Sequence, residues 1–141
     1  MKIVKSVDRY LLIIDKNEKL VESILNCVSE CKLKGGIISG LGAVSEAELG
    51  YFQTGPRDYL RKIFSDEHEL VSLVGNISIL DGQPFVHVHA CLGDSSFQVK
   101  GGHLFEAKVS VSVEISIVPL GVMPVRKLDH AIGACSIFGP C

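Results

Sequence analysis

The sequence predicts an α+β domain in which one principal helix packs on a broad, mainly antiparallel β-sheet. Three observations carry that prediction. One stretch, Leu20 to Cys31, repeats apolar residues at helical spacing. Much of the remainder alternates apolar and polar residues at period two, most strictly at Val109, Val111, Val113, Ile115 and Ile117. Glycine-containing turns separate those runs. With 141 residues, 47% of them hydrophobic and 21% charged, the chain is long enough for one real core. A single domain over 1–141 is expected, with its core over residues 9–118 and a C-terminal tail over 120–141.

Taken in order, Arg9 to Ile14 reads as a first strand. Asp15-Lys16-Asn17-Glu18 has capping-box spacing, with Asp15 or Asn17 as the cap. The stripe Leu20, Val21, Ile24, Leu25, Val28 and Cys31 then predicts a helix of about four turns. Lys32 and Lys34 favour its negative end, and Gly35-Gly36 stops it. Gly36 to Val44 and Ala47 to Phe52 read as strand material. Gly40-Leu41-Gly42 follows a helix and leads into a strand, the reverse of a phosphate cradle. Gln53 to Arg57 is a turn, and Leu60 to Phe64 a short edge strand. Leu70 to Leu80 is a long strand closed by Asp81-Gly82. Two histidine-bearing strands follow, the second ending at Gly101-Gly102-His103. The tail adds one strand before fraying.

The formal net charge is −2, from 14 basic and 16 acidic residues. A dedicated duplex-DNA binder carries a basic surplus, absent here overall. Arg57, Arg61 and Lys62 form the one candidate nucleic-acid contact, and they read equally as a solvated edge. The N-terminus lacks a signal-peptide pattern and no apolar run reaches membrane-spanning length, so a cytoplasmic protein without membrane contact is expected. Five cysteines show no disulfide-scaffold or C-x-x-C spacing. Cys27 and Cys31, one helical turn apart, are expected to pack as small hydrophobes.

Most of the chemistry lies between Gly82 and Leu104. His87 and His89 stand two apart in a strand-like run, so both imidazoles leave one face. The turn Gly93-Asp94-Ser95-Ser96 returns the chain, bringing His103 beside them. Two nitrogens from one strand and one from its neighbour make a metal facet, and the same residues also read as an ordinary polar strand face. Three imidazoles suit zinc first, with iron, manganese or nickel as alternatives, and leave positions open for water or an outside ligand. Neutral imidazole is required, so affinity is expected to fall below about pH 6. Glu114, Glu69 and Glu106 are the carboxylates placed to support the ligands or act as bases. Cys91 follows the histidines in the same alternation, as a third ligand or, more simply, as packing.

Ile38-Ser39-Gly40-Leu41-Gly42-Ala43, the run Glu69 to Ile77, Phe85 to Asp94, Gly101-Gly102-His103-Leu104 and Val113-Glu114-Ile115 together resemble the plants-and-prokaryotes-conserved (PPC) domain. Its prokaryotic members are commonly labelled DNA-binding. The resemblance implies an α+β fold with one principal helix, assembled as a homotrimer. It further implies a divalent metal near subunit contacts, held by His87, His89 and His103. In plant relatives a separate basic segment reads the minor groove, and the domain mediates assembly and contacts with regulatory proteins. No such segment occurs here. The plant hexapeptide Gly-Arg-Phe-Glu-Ile-Leu has its counterpart in Asp66 to Val71, where Glu67 replaces the arginine, which weakens the case for DNA as a direct partner. Gly82, His87, His89, Asp94 and Gly101 also resemble the first cupin motif, with Asp94 in place of glutamate and no second motif. That resemblance implies the alternative to an assembly module, a small metalloenzyme acting at the same ion.

Overall fold

The computed structural model describes residues 1–140, the last by its backbone alone. In order these form β1 (Lys2–Lys5), β2 (Tyr10–Asp15), α1 (Leu20–Glu30), β3 (Gly36–Gln53), β4 (Asp58–Phe64), β5 (His68–Leu80), β6 (Gln83–Gly93), β7 (Val99–Pro119), β8 (Pro124–Asp129) and β9 (Ala134–Pro140). The strands join one sheet in the order β1-β2-β7-β3-β5-β8-β9, with β4 on β3 and β6 on both β5 and β7. Every pairing is antiparallel except β5 with β8, which is parallel at Ile79–Val125 and Leu80–Arg126. The expected pairing of one helix with a mainly antiparallel sheet is met. No helix among the described residues is long and apolar enough to cross a membrane.

Four strands close on themselves. β3 pairs with β5, β5 with β6, β6 with the start of β7, and the rest of β7 with β3. Over these stretches the backbone donors and acceptors are used within the ring, so few edges remain open there. Leu12, Ile38, Leu73, Ile77, Val88, Leu92, Ile115 and Ile117 are buried inside. The helix covers this interior with Leu20, Ile24, Cys27 and Val28, a stripe at i, i+4, i+7 and i+8. Burial and the adjacent Cys31 push the Cys27 thiol up to about 12, so it packs as an inert hydrophobe.

The helix start differs from the expectation. It has 11 residues, its N-cap is Lys19, and no side chain of its own segment caps it. Glu18 does accept the Asp15 N–H at 2.8 Å, so half of the expected box forms, but before the helix begins. The cap comes from β7 instead: Glu106 accepts the Val21 N–H at 2.7 Å and the Glu22 N–H at 3.2 Å. A carboxylate there also opposes the positive end of the helix dipole. Glu106→Gln is therefore expected to lower stability by about 1 kcal/mol, read as a lower urea midpoint at unchanged slope.

Three further differences bear on the site. β1, unexpected from the sequence, adds an outer strand to β2. The return strand does not stop at Gly101-Gly102; it runs through them as β7, 21 residues from Val99 to Pro119. Those glycines serve close approach, since a Cβ at Gly102 would stand 2.7 Å from the Gly50 carbonyl oxygen. The tail forms two strands rather than one, and they fold back onto the histidine face.

Candidate metal centre

Alternation aims the histidines. Val86, Val88, Ala90 and Leu92 point into the core, so His87, His89 and Cys91 leave the other face of β6. His103 lies directly opposite His89 across the β6–β7 pairing, and its neighbour Leu104 is buried. The result is the predicted cluster: one nitrogen from each of His87, His89 and His103, all within 4.8 Å of one another. Ring centroids are 5.2 Å apart for His87–His89 and His87–His103, and 5.6 Å for His89–His103. His89 is exposed; the other two are half-buried.

An aromatic wall fixes His103. Phe105 packs against its ring at 4.7 Å and Tyr59, from β4, at 5.1 Å. Burial, with the neighbouring imidazoles and Arg126, lowers His87 to about 4. Burial, His89, Arg126 and Arg61 lower His103 to about 4 as well. Both rings are therefore neutral, as ligands must be, well below the pH 6 expected from unperturbed histidine. The His103 Nδ1 is buried without a hydrogen-bond partner. A bound cation would satisfy that orphaned lone pair, and the donor set fits a borderline divalent ion.

Arg126 was missed by the sequence reading. It lies in the tail, on β8, and is only 5% exposed. Its Nη2 lies 3.0 Å from His87 Nδ1. A guanidinium only donates, so Nδ1 accepts and the neutral His87 ring carries its proton on Nε2. No local signal marked it: a basic residue between Val125 and Lys127 reads as solvated, yet Pro124 and Arg126 are the buried residues of this segment. Beside these groups opens a cavity of ≈ 540 Å³, walled in part by Tyr59, Phe85, His87, His103, Phe105 and Arg126.

The other candidates stand elsewhere. Glu69 is exposed and opposite Gly93; Glu114 is exposed and opposite Leu41 and Ile13. Glu106 is committed to the helix cap. Among the described residues no carboxylate or thiolate joins the histidine group. Cys91 packs over Gly101, where an added Cβ would lie 3.4 Å from its Sγ. Asp94, the cupin-like ligand, is instead the turn residue: it accepts the Ser96 and Gln98 N–H groups at 2.9 and 3.1 Å and pairs with Lys100. Arg61 pairs with Glu48 at 2.7 Å and lies 3.7 Å over the Phe105 ring. Arg57 donates to the His130 carbonyl at 3.1 Å, and Lys62 lies 5.1 Å from the Phe64 ring centroid.

Fold and cluster together define a small β-rich domain with a three-histidine facet. The chain belongs to the Plants and Prokaryotes Conserved (PCC) domain family, which it matches over residues 1–121. A metal-containing protein of Archaeoglobus fulgidus is 34% identical, with 98% of this chain and 96% of that one covered and a TM-score of 0.88. A plant- and prokaryote-conserved protein of Pyrococcus horikoshii is 32% identical over 92% and 88%, with a TM-score of 0.82. A candidate DNA-binding protein of Bacteroides thetaiotaomicron is 25% identical over 96% and 95%, with a TM-score of 0.92. Comparison with curated proteins finds no match.

Proposed function

We propose that this chain is a metal-binding assembly module, a homotrimer whose His87, His89 and His103 hold a divalent ion, zinc before iron, manganese or nickel. The observation that carries the reading is the convergence of three imidazole nitrogens within 4.8 Å, one ring having a buried, unpartnered Nδ1. The metal-containing relative from Archaeoglobus fulgidus supports it. Such an ion would supply Lewis acidity toward an oxygen ligand in its open position. Arg126 opposes loading, because coordination through either nitrogen of His87 breaks the contact that Nδ1 accepts. Free thiols at Cys27, Cys31, Cys91 and Cys135 fit a reducing, cytoplasmic setting.

Assembly has a surface to use. Ile37 and Val118 face each other across β3 and β7, 51% and 44% exposed; Leu41 lies further along β3, and Val74, on β5, stands opposite His89. Burying this face against further copies would remove these apolar side chains from water, with Ser39, Ser116 and Glu114 interspersed among them. Ile37→Asp is expected to shift the protein from trimer to monomer at micromolar concentration, measured by sedimentation velocity. Elemental analysis of untagged protein, with its solution mass, tests the reading as a whole. Near-stoichiometric metal in a trimer is expected; a metal-free monomer would end it.

Direct DNA contact is the weaker part of the inheritance. The net charge is −2, and two of the three basic candidates are already engaged, Arg61 by Glu48 and Arg57 by the His130 carbonyl. One observation favours a second reading, small-molecule chemistry at the metal: the cavity of ≈ 540 Å³ on which His87 and His103 open.

A further inference from the structure

Arg126 is a buried charge without a counter-charge among the described residues. Its Nε donates to Ser78 Oγ at 2.9 Å and its Nη1 to the Cys135 carbonyl at 3.0 Å. Its Nη2 serves Asn76 Oδ1 at 2.9 Å and His87 Nδ1 at 3.0 Å. All four acceptors are neutral, and among the described residues no ion pair includes Arg126. Burying a cation is unfavourable; four hydrogen bonds and the Phe85 ring, 5.6 Å away, offset part of that cost, but no opposite charge in the described chain does. The neutral acceptors hold the guanidinium in place while leaving its charge intact, as a receptor for an anion requires.

The cavity beside it is built for one kind of anion. A second guanidinium, Arg57, also lines it, and the one carboxylate there, Asp58, is exposed and accepts the Tyr59 N–H. The remaining walls are largely apolar, among them Phe52, Tyr59, Phe85, Phe105 and Leu128. Of the five guanidinium N–H groups of Arg126, four are committed and one, on Nη1, is left over. A phosphate dianion loses more hydration than a carboxylate on entering an apolar cavity. A carboxylate needs few donors, and an aromatic or aliphatic body suits the walls.

We propose that this cavity binds a small organic carboxylate, its charge met by Arg126 and its apolar body by Tyr59, Phe85 and Phe105. The site does not depend on the metal reading, since the guanidinium charge is present with or without an ion. Arg126, Leu128 and Cys135 bring the tail into the site, beyond residue 121 where the family match ends.

Benzoate and its neutral isostere benzamide test this on the full chain, freed of metal with a chelator and titrated at constant ionic strength. Benzoate is expected to bind about 10- to 100-fold more tightly than benzamide, the worth of a charge-assisted hydrogen bond. Arg126→Gln, which removes the charge and keeps a polar group at about the position of Nε, is expected to erase that preference, and inorganic phosphate to compete poorly. Nuclear Overhauser contacts from bound benzoate to Tyr59, Phe85 and Phe105 in the unaltered protein locate the site even if Arg126→Gln folds badly. Equal binding of the two probes, an undiminished preference in Arg126→Gln, or contacts to other residues would each overturn the proposal. Because the titration uses metal-free protein, its failure leaves the metal reading standing, and loss of the metal reading leaves this result untouched.

Discussion

His103→Ala is expected to lower zinc affinity by more than about 100-fold, so that the variant purifies without stoichiometric metal. His103 is the ligand contributed by the second strand, and without it the remaining two, His87 and His89, come from one strand face. Its Nδ1 is also the one buried ring nitrogen in the cluster without a partner, the nitrogen that gains most from an ion. His89→Ala is expected to weaken binding less, because an exposed position is readily filled by water. Competition with a chromophoric chelator measures both. Unchanged zinc content in His103→Ala would mean that the histidines are only a polar strand face.

The metal-free protein is expected to lose stability steeply as pH falls from 6.5 toward 4. In the folded chain His87 and His103 are each held down to about 4, while in the unfolded chain they return to ordinary histidine values. Between those limits the unfolded state binds more protons, so acid favours unfolding. Stability from these groups is complete above the unfolded value and lost as pH passes down through the folded one. Near pH 5 the slope should approach about two protons taken up per molecule unfolded. Urea midpoints across this range check it. His87→Asn is expected to halve the slope, and saturating zinc to move the loss to lower pH, since the ion binds only the native, deprotonated cluster.

Local periodicity carried the helix and the aim of the histidines. Leu20, Ile24 and Val28 repeat on one helix face, and His87 and His89 alternate with buried Val86 and Val88. Placing His103 beside them required only a short turn. What could not be read depended on contacts between distant parts of the chain. Gly101-Gly102 resembled a strand end, yet Gly102 admits the Gly50 carbonyl from β3 and Gly101 the Ala90 carbonyl from β6. The helix cap is Glu106, 85 residues from the Val21 N–H that it accepts, so no local motif announces it. Arg126 was hidden for the same reason: its acceptors Asn76, Ser78 and His87 lie on β5 and β6, 39 to 50 residues away in sequence.

The closed ring of β3, β5, β6 and β7 has a kinetic consequence. His87, His89 and His103 sit on strands that cannot separate without breaking several ladders at once, so amide exchange along β6 should follow global unfolding. The β8–β9 hairpin, which carries Arg126, joins β5 through only two residue pairs. It should therefore open as a unit of its own, more often and at lower free energy. Entry and exit of anything that binds beside the histidines would then be timed by the last strands of the chain, while the histidine frame stays closed.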